Sequence, residues 1–402
     1  MRSPETWQAR ASGRTSTFVG RWFRASLLLL GLAVEPSLAA GSDEPEPAVA
    51  PAPPAVNLAR TRQEAGNVLA PIASGGWAEL TLNPDLEREA QRLLAGADPI
   101  AGAIVAVDLR TGRILVWAER SKAASGSVVT TAVAPAASVF KLVTTTALYE
   151  RGELTPSRRV CVSGGIRSIE RSHLEPPHGG DVSCGPFFQA LGHSRNAVYA
   201  QLATRNLMRT DLIEVAERLG FNGEIPFDFP VKLGTLEVPY NDLEFARTAA
   251  GFRGSTLSPL GGAYLASVIA HGGLAPRLRI VRRAGEYEAP STLETMGRVM
   301  GSTTAIRLAK MMEVTVESGT AYGAFHDEDG HSLLGRVRVA GKTGTLRPET
   351  RTATASWFIG FAPSRSPRIA VSVLLQNGAS YRRKAAEVAR DVLRLYFDDA
   401  GR

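Results

Sequence analysis

The tightest constraint on the fold is where the β-forming runs fall along the chain. Residues 103–109 and 113–118 are rich in Ala, Val and Ile, and Arg110-Thr111-Gly112 between them reads as a hairpin turn. Runs of that kind return only at 337–345, 355–361 and 368–375. The stretch between carries helical signals. Helices are predicted over 138–151, stopped by Gly152, over 211–219, stopped by Gly220, and over 259–271, with Ser258 as N-cap and Gly272 past the end. Upstream, Asn83 and Pro84 mark a helix start, with Leu86, Ala90, Leu93 and Leu94 on one face. A last helix is predicted near 382–397. Strands at both ends with helices between require a sheet assembled from distant segments. The predicted class is therefore mixed α+β: a mainly antiparallel sheet flanked by helices, with an all-helical lobe inserted between the terminal strands. No internal period points to a repeat array.

Ahead of this region the chain changes character. Its first 40 residues carry five Arg against two Glu, then an apolar run over 25–34, Pro36, and small residues at Ser37 and Ala39. This is the pattern of a signal peptide cleaved after Ala39. The apolar run is about half the ~20 residues that span a bilayer. Residues 40–76 hold Pro45, Pro47, Pro51, Pro53, Pro54 and Pro71 and read as a Pro-rich flexible linker. The folded domain is thus expected over 77–402, exported to the periplasm or cell envelope, or held at the inner membrane if the leader stays uncleaved. Of the net charge of +7, the leader contributes +3, and the remaining +4 gives no reason to expect nucleic acid as a partner. At 44% hydrophobic and 21% charged, the chain is neither mainly disordered nor a polytopic membrane protein.

Three short motifs carry chemistry. Ser138-Val139-Phe140-Lys141 opens a helix apolar on nearly every side, and a three-residue offset sets Ser138 and Lys141 on one face. Thr144–Thr146 are poor helix formers, so burial must hold that helix. A lysine there becomes a base only after losing its proton, which burial and a second cation both favour. Taken singly, the motif is also what a Ser cap and a snorkelling Lys would leave. In Ser194-Arg195-Asn196, Ser194 could relay a proton and Asn196 could offer its amide to a substrate backbone, although helix capping also explains such residues. Gly341-Lys342-Thr343-Gly344-Thr345 sits in a β-run. There Gly344 would let an extended peptide approach, Lys342 would supply the second cation, and Thr343 and Thr345 would bind a carboxylate.

In this order, Ser-x-x-Lys, Ser-x-Asn and Lys-Thr-Gly-Thr make the chain resemble the penicillin-binding proteins and related serine β-lactamases. The likeness extends from about Trp77 to the C-terminus. It takes in residues 80–86, the 103–117 hairpin, Leu257-Ser258-Pro259-Leu260 with His271-Gly272-Gly273, and Trp357-Phe358-Ile359-Gly360-Phe361-Ala362-Pro363. The resemblance implies the fold of the penicillin-binding transpeptidase domain and D,D-transpeptidation or carboxypeptidation of peptidoglycan stem peptides. Ser138 would be the nucleophile, Lys141 its base, and Ser194 with Lys342 the proton relay to the leaving D-Ala. Asn196, Thr343, Gly344 and Thr345 would line the substrate site, with the backbone N–H groups of Ser138 and Thr345 as oxyanion hole. It implies no metal or organic cofactor, β-lactams as ligands, and partners in a wall-synthesis complex.

Departures from the pattern narrow the reading. A glycosyltransferase domain has no room before Trp77, so a monofunctional protein is expected. Arg195 stands where class A β-lactamases have Asp, and neither their E-x-x-L-N context nor the S-x-V of class D is present. A non-catalytic β-lactam sensor or scaffold is the reading from another class. An α/β-hydrolase is excluded for want of G-x-S-x-G. Cys161 and Cys184 would bond in an oxidising compartment, whereas their irregular spacing with His173 and His178 fits a zinc site poorly.

Overall fold

In the computed structural model, residues 52–123, 126–132, 134–151, 154–177, 181–347, 353–378 and 382–399 are described. The predicted signal peptide, the linker up to residue 51, Gly152 and His178 lie outside them. Strands β1 (Arg62–Glu64), β2 (Asn67–Pro71) and β3 (Trp77–Leu80) come first, followed by helix α1 (Pro84–Ala97) and strands β4 (Ala101–Asp108) and β5 (Ile114–Ser121). Next are β6 (Ala134–Pro135), α2 (Lys141–Glu150), β7 (Arg159–Ser163), β8 (Val182–Pro186), α3 (Phe187–Gly192), α4 (Asn196–Asn206), α5 (Arg209–Arg218) and α6 (Asp242–Ala249). Strand β9 (Thr256–Leu257), α7 (Pro259–Ala270), β10 (Leu274–Pro276), β11 (Val281–Ala284), β12 (Tyr287–Glu288) and β13 (Thr295–Arg298) lead to α8 (Ser302–Glu317) and α9 (Tyr322–Phe325). The chain ends on β14 (Ala340–Leu346), β15 (Thr354–Ala362), β16 (Ile369–Asn377) and α10 (Ala385–Asp399).

The distant β-runs do meet. The central sheet has the order β14-β15-β16-β4-β5, antiparallel throughout, and β16 joins the two ends of the chain through pairs from Ile369–Asp108 to Gln376–Ala101. Because side chains alternate across a strand, β4 serves two cores. Ala103, Val105 and Val107 face the core that holds α7, whereas Ile104 and Ala106 face the one formed with α1 and α10. Both faces are covered, so β4 reads as a continuous apolar run rather than an alternating one. Helix α7, buried along Pro259–Ile269, is apolar on all sides for the same reason. Asn83 caps α1 by accepting from the N–H groups of Asp85 and Leu86, and Ser258 caps α7 by accepting from that of Gly261.

The linker reading fails for its described part. Asn57 caps a 3-10 turn at Leu58–Arg60, Val56 bridges Ile72, and β1 and β2 join β3, β11 and β12 in a second sheet. Val68 and Ala70 are buried there. Two inward residues are too few to show a period of two in the sequence, and a partner strand, β11, lies about two hundred residues downstream. The insert between β5 and β14 is not the all-helical lobe expected: besides its helices it holds the antiparallel pairs β6–β9, β7–β8, β10–β13 and β11–β12, whose strands of two to five residues are too short to show a period in the sequence.

Candidate active site

Ser138 does not open the helix itself. It sits in a 3-10 turn, Ala137–Phe140, that runs into α2 at Lys141. Ala137 enters that turn at φ +50°, a left-handed conformation that L-residues rarely adopt. Gly251 packs on its carbonyl, where a Cβ would come within 2.2 Å of the oxygen. Helix α2 is held as expected, by burial. Thr144, Thr145 and Thr146 are wholly buried, and their hydroxyls bond the carbonyls of Ala249, Lys141 and Leu142.

The Lys141 side chain is fully buried, and its Nζ lies 2.8 Å from Ser138 Oγ, 2.7 Å from Asn196 Oδ1 and 2.7 Å from the Ala250 carbonyl oxygen. Two of these three neighbours can only accept a hydrogen bond; the Ser138 hydroxyl alone can also donate. An ammonium meets all three contacts by donating to each, and a neutral amine, with two N–H groups and one lone pair, meets the same three by donating to Asn196 and Ala250 and accepting from Ser138. Burial lowers the Lys141 pKa well below its ordinary value, and the charge of Lys342 adds to the effect.

Lys342 is also wholly buried, and its Nζ donates to Ser194 Oγ at 3.3 Å and to the Thr343 carbonyl at 2.7 Å. Burial brings its own pKa down to about 7. Both expected causes act on Lys141, with desolvation the larger and the charge of Lys342 the smaller. Ser194, between α3 and α4, adopts φ +52°, the second left-handed non-glycine residue at this site. Asn196 begins α4, and its Nδ2 donates to the Ile166 carbonyl at 2.7 Å. That bond fixes the amide so that Oδ1 faces Lys141, and a second N–H remains for a ligand. Arg195, the departure from the β-lactamase motif, reaches Ser183 on β8 and ties the start of α4 to that ribbon.

On β14, Thr343 and Thr345 share one face. Thr345 lines a groove of about 1030 Å³ with Ser138, Asn196, Ile166, Arg253 and Thr256, and Thr343 lies one step further along, its hydroxyl bonded to that of Thr320. Gly344 is needed for a different approach from the one expected. A Cβ there would meet Ala137 and Val139 at 3.3 Å, so the space above it belongs to the turn carrying Ser138. The structure thus brings Ser138, Lys141, Ser194, Asn196 and Lys342 together, with Thr343 and Thr345 beside them. Thr320 and the carbonyls of Ala250 and Ile166 had no sequence signal, since a backbone oxygen carries no letter and a lone Gly-Thr marks no motif. Cys161 and Cys184 face each other across β7 and β8 and are bonded, which removes the zinc reading; His173 Nδ1 accepts from the Glu170 N–H.

The profile of the family described as "Penicillin binding protein transpeptidase domain" matches residues 102–394, most of the chain. The chain belongs to that family. Within the penicillin-binding transpeptidase family it is 25% identical over 347 residues to peptidoglycan D,D-transpeptidase PbpA of Mycobacterium tuberculosis, covering 76% of this chain and 68% of that one. The Mycolicibacterium smegmatis protein of the same name is 24% identical over 355 residues, with the same coverage of both chains. Among solved structures, the imipenem acyl-enzyme complex of M. tuberculosis penicillin-binding protein A aligns with a TM-score of 0.67 at 22% identity, covering 80% of this chain and 79% of that one. A D,D-transpeptidase domain from Eggerthella lenta aligns at 0.66 and 23% identity, covering 81% and 83%. These neighbours share the fold of a penicillin-binding transpeptidase domain: mixed α+β, with an antiparallel sheet and flanking helices.

Proposed function

We propose that this chain is a serine D,D-transpeptidase acting on peptidoglycan stem peptides that end in D-Ala-D-Ala. Ser138 Oγ attacks the carbonyl of the penultimate D-Ala while Lys141 Nζ, neutral, takes the hydroxyl proton. The backbone N–H groups of Ser138 and Thr345 hold the oxyanion of the tetrahedral intermediate. Its C–N bond then breaks. Ser194, backed by Lys342, passes a proton to the departing nitrogen, which leaves as D-Ala. An ester on Ser138 remains. The amine of a neighbouring stem attacks that ester and closes the cross-link; water in its place gives carboxypeptidation. Asn196 holds the donor peptide, and Thr343 and Thr345 its terminal carboxylate. β-Lactams acylate the same serine.

One observation carries this reading: the Ser138 hydroxyl lies 2.8 Å from the Nζ of a fully buried lysine whose other two partners can only accept, so of the three only this hydroxyl can pass that nitrogen a proton. Family membership and the names of the PbpA relatives support the substrate class. The disulfide Cys161–Cys184 supports an oxidising compartment, and with it export to the cell envelope by a leader cleaved after Ala39. Among the described residues no helix is long and apolar enough to cross a membrane.

The test incubates the protein with a D-Ala-D-Ala pentapeptide and an amine acceptor. The reading predicts D-Ala release together with a peptide–amine product, both lost in Ser138→Ala. D-Ala release with free acid alone identifies a carboxypeptidase. Rapid penicillin turnover without peptide chemistry identifies a β-lactamase, and no reaction with either ligand a scaffold.

A further inference from the structure

The third motif ends in a contact that the reaction above leaves unused. Thr320 lies in the turn between α8 and α9, and its hydroxyl meets that of Thr343. The turn is seated firmly. The Thr320 N–H donates to the Gly192 carbonyl, two residues before Ser194, and the Ala321 N–H to that of Thr315. Gly319 packs so closely that a Cβ would lie 2.3 Å from the Gly192 oxygen. One turn therefore touches the segments carrying both the second and the third motif, and it presents an exposed hydroxyl to β14.

Each hydroxyl owns one proton, so within a hydroxyl pair one donates and the other accepts. A carboxylate only accepts. If Thr343 is to donate to an incoming carboxylate, its proton must point away from Thr320, and Thr320 must be the donor of the pair. We propose that Thr320 is a positioning residue: its hydroxyl donates to Thr343 Oγ1 and so turns the Thr343 proton towards the terminal carboxylate of the substrate or β-lactam. The inference rests on the reading of Thr343 as a carboxylate contact.

The experiment compares acylation rates of wild type, Thr320→Val and Thr320→Ser with benzylpenicillin and with its neutral methyl ester. A bond to a charged group, deleted at one remove, predicts a fall of about five- to tenfold for benzylpenicillin in Thr320→Val. The methyl ester should be acylated within about twofold of the wild-type rate, and Thr320→Ser should behave as wild type. In a Thr343→Val background, replacing Thr320 should have no further effect, because the two hydroxyls act as one unit. Equal losses on both ligands would assign Thr320 a merely structural role and overturn the proposal, as would no loss on either. If Thr343→Val itself fails to discriminate between the acid and the ester, the proposal falls with the reading of Thr343, and that variant identifies the failure as lying there.

Discussion

At the scale of single residues the site is a matter of proton inventory. Lys141 and Lys342 are buried with no carboxylate among their hydrogen-bond partners in the described residues, and burial is the leading cause that lowers both. This has a consequence for stability. Between about pH 7 and the ordinary lysine value, the unfolded chain binds a proton at Lys342 that the folded chain does not. Stability contributed by this group therefore rises with pH across that window, by about 1.4 kcal/mol per pH unit at most. Denaturant titrations from pH 7 to pH 10 should show wild type gaining on Lys342→Met as pH rises. A constant difference would mean that Lys342 stays charged in the fold. The motif spacings were legible at this scale because each letter marks a side chain. Ala250 and Ile166 were not, because they act through backbone oxygens that any residue could supply.

Among elements, the loop between β7 and β8 bears on catalysis through α4. Its carbonyls accept from that helix: Ile166 from Asn196, and His173 and Glu175 both from Gln201. The disulfide pins the base of this loop, 23 residues apart in sequence. Replacing both cysteines by serine should lower stability by about 3 kcal/mol through loop closure. It should also slow acylation, since the Asn196 amide loses the restraint that turns Oδ1 to Lys141. Unchanged acylation with lowered stability would make the ribbon a structural staple only. The helices with a clear cap, at Asn83 and Ser258, were readable from sequence alone. Strand β2 was not. Its two buried side chains gain their meaning only from the second sheet, and the prolines around it read as tether.

At the scale of the whole molecule, the groove exists because the chain returns. Strand β14 is an edge of a sheet closed by β16 against β4, and the insert brings Ser138, Ser194 and Asn196 up to that edge. Sheet class followed from the position of the β-runs, since only long-range pairing could unite them. The depth at which the two lysines lie could not follow from a pattern, because it depends on distant elements: α4, α5 and α8 pack against α2, and β14 packs against the turn that carries Ser138. The measurement that bears most directly on the neutral-lysine account is the mass spectrum of the protein after exposure to penicillin, with the adduct located by proteolysis. Wild type should carry one penicillin on the peptide containing Ser138. Lys141→Met, which keeps a buried side chain of similar length, should remain folded yet acylate about a thousandfold more slowly. Acylation of Lys141→Met at the wild-type rate, or an adduct on any residue other than Ser138, would contradict it.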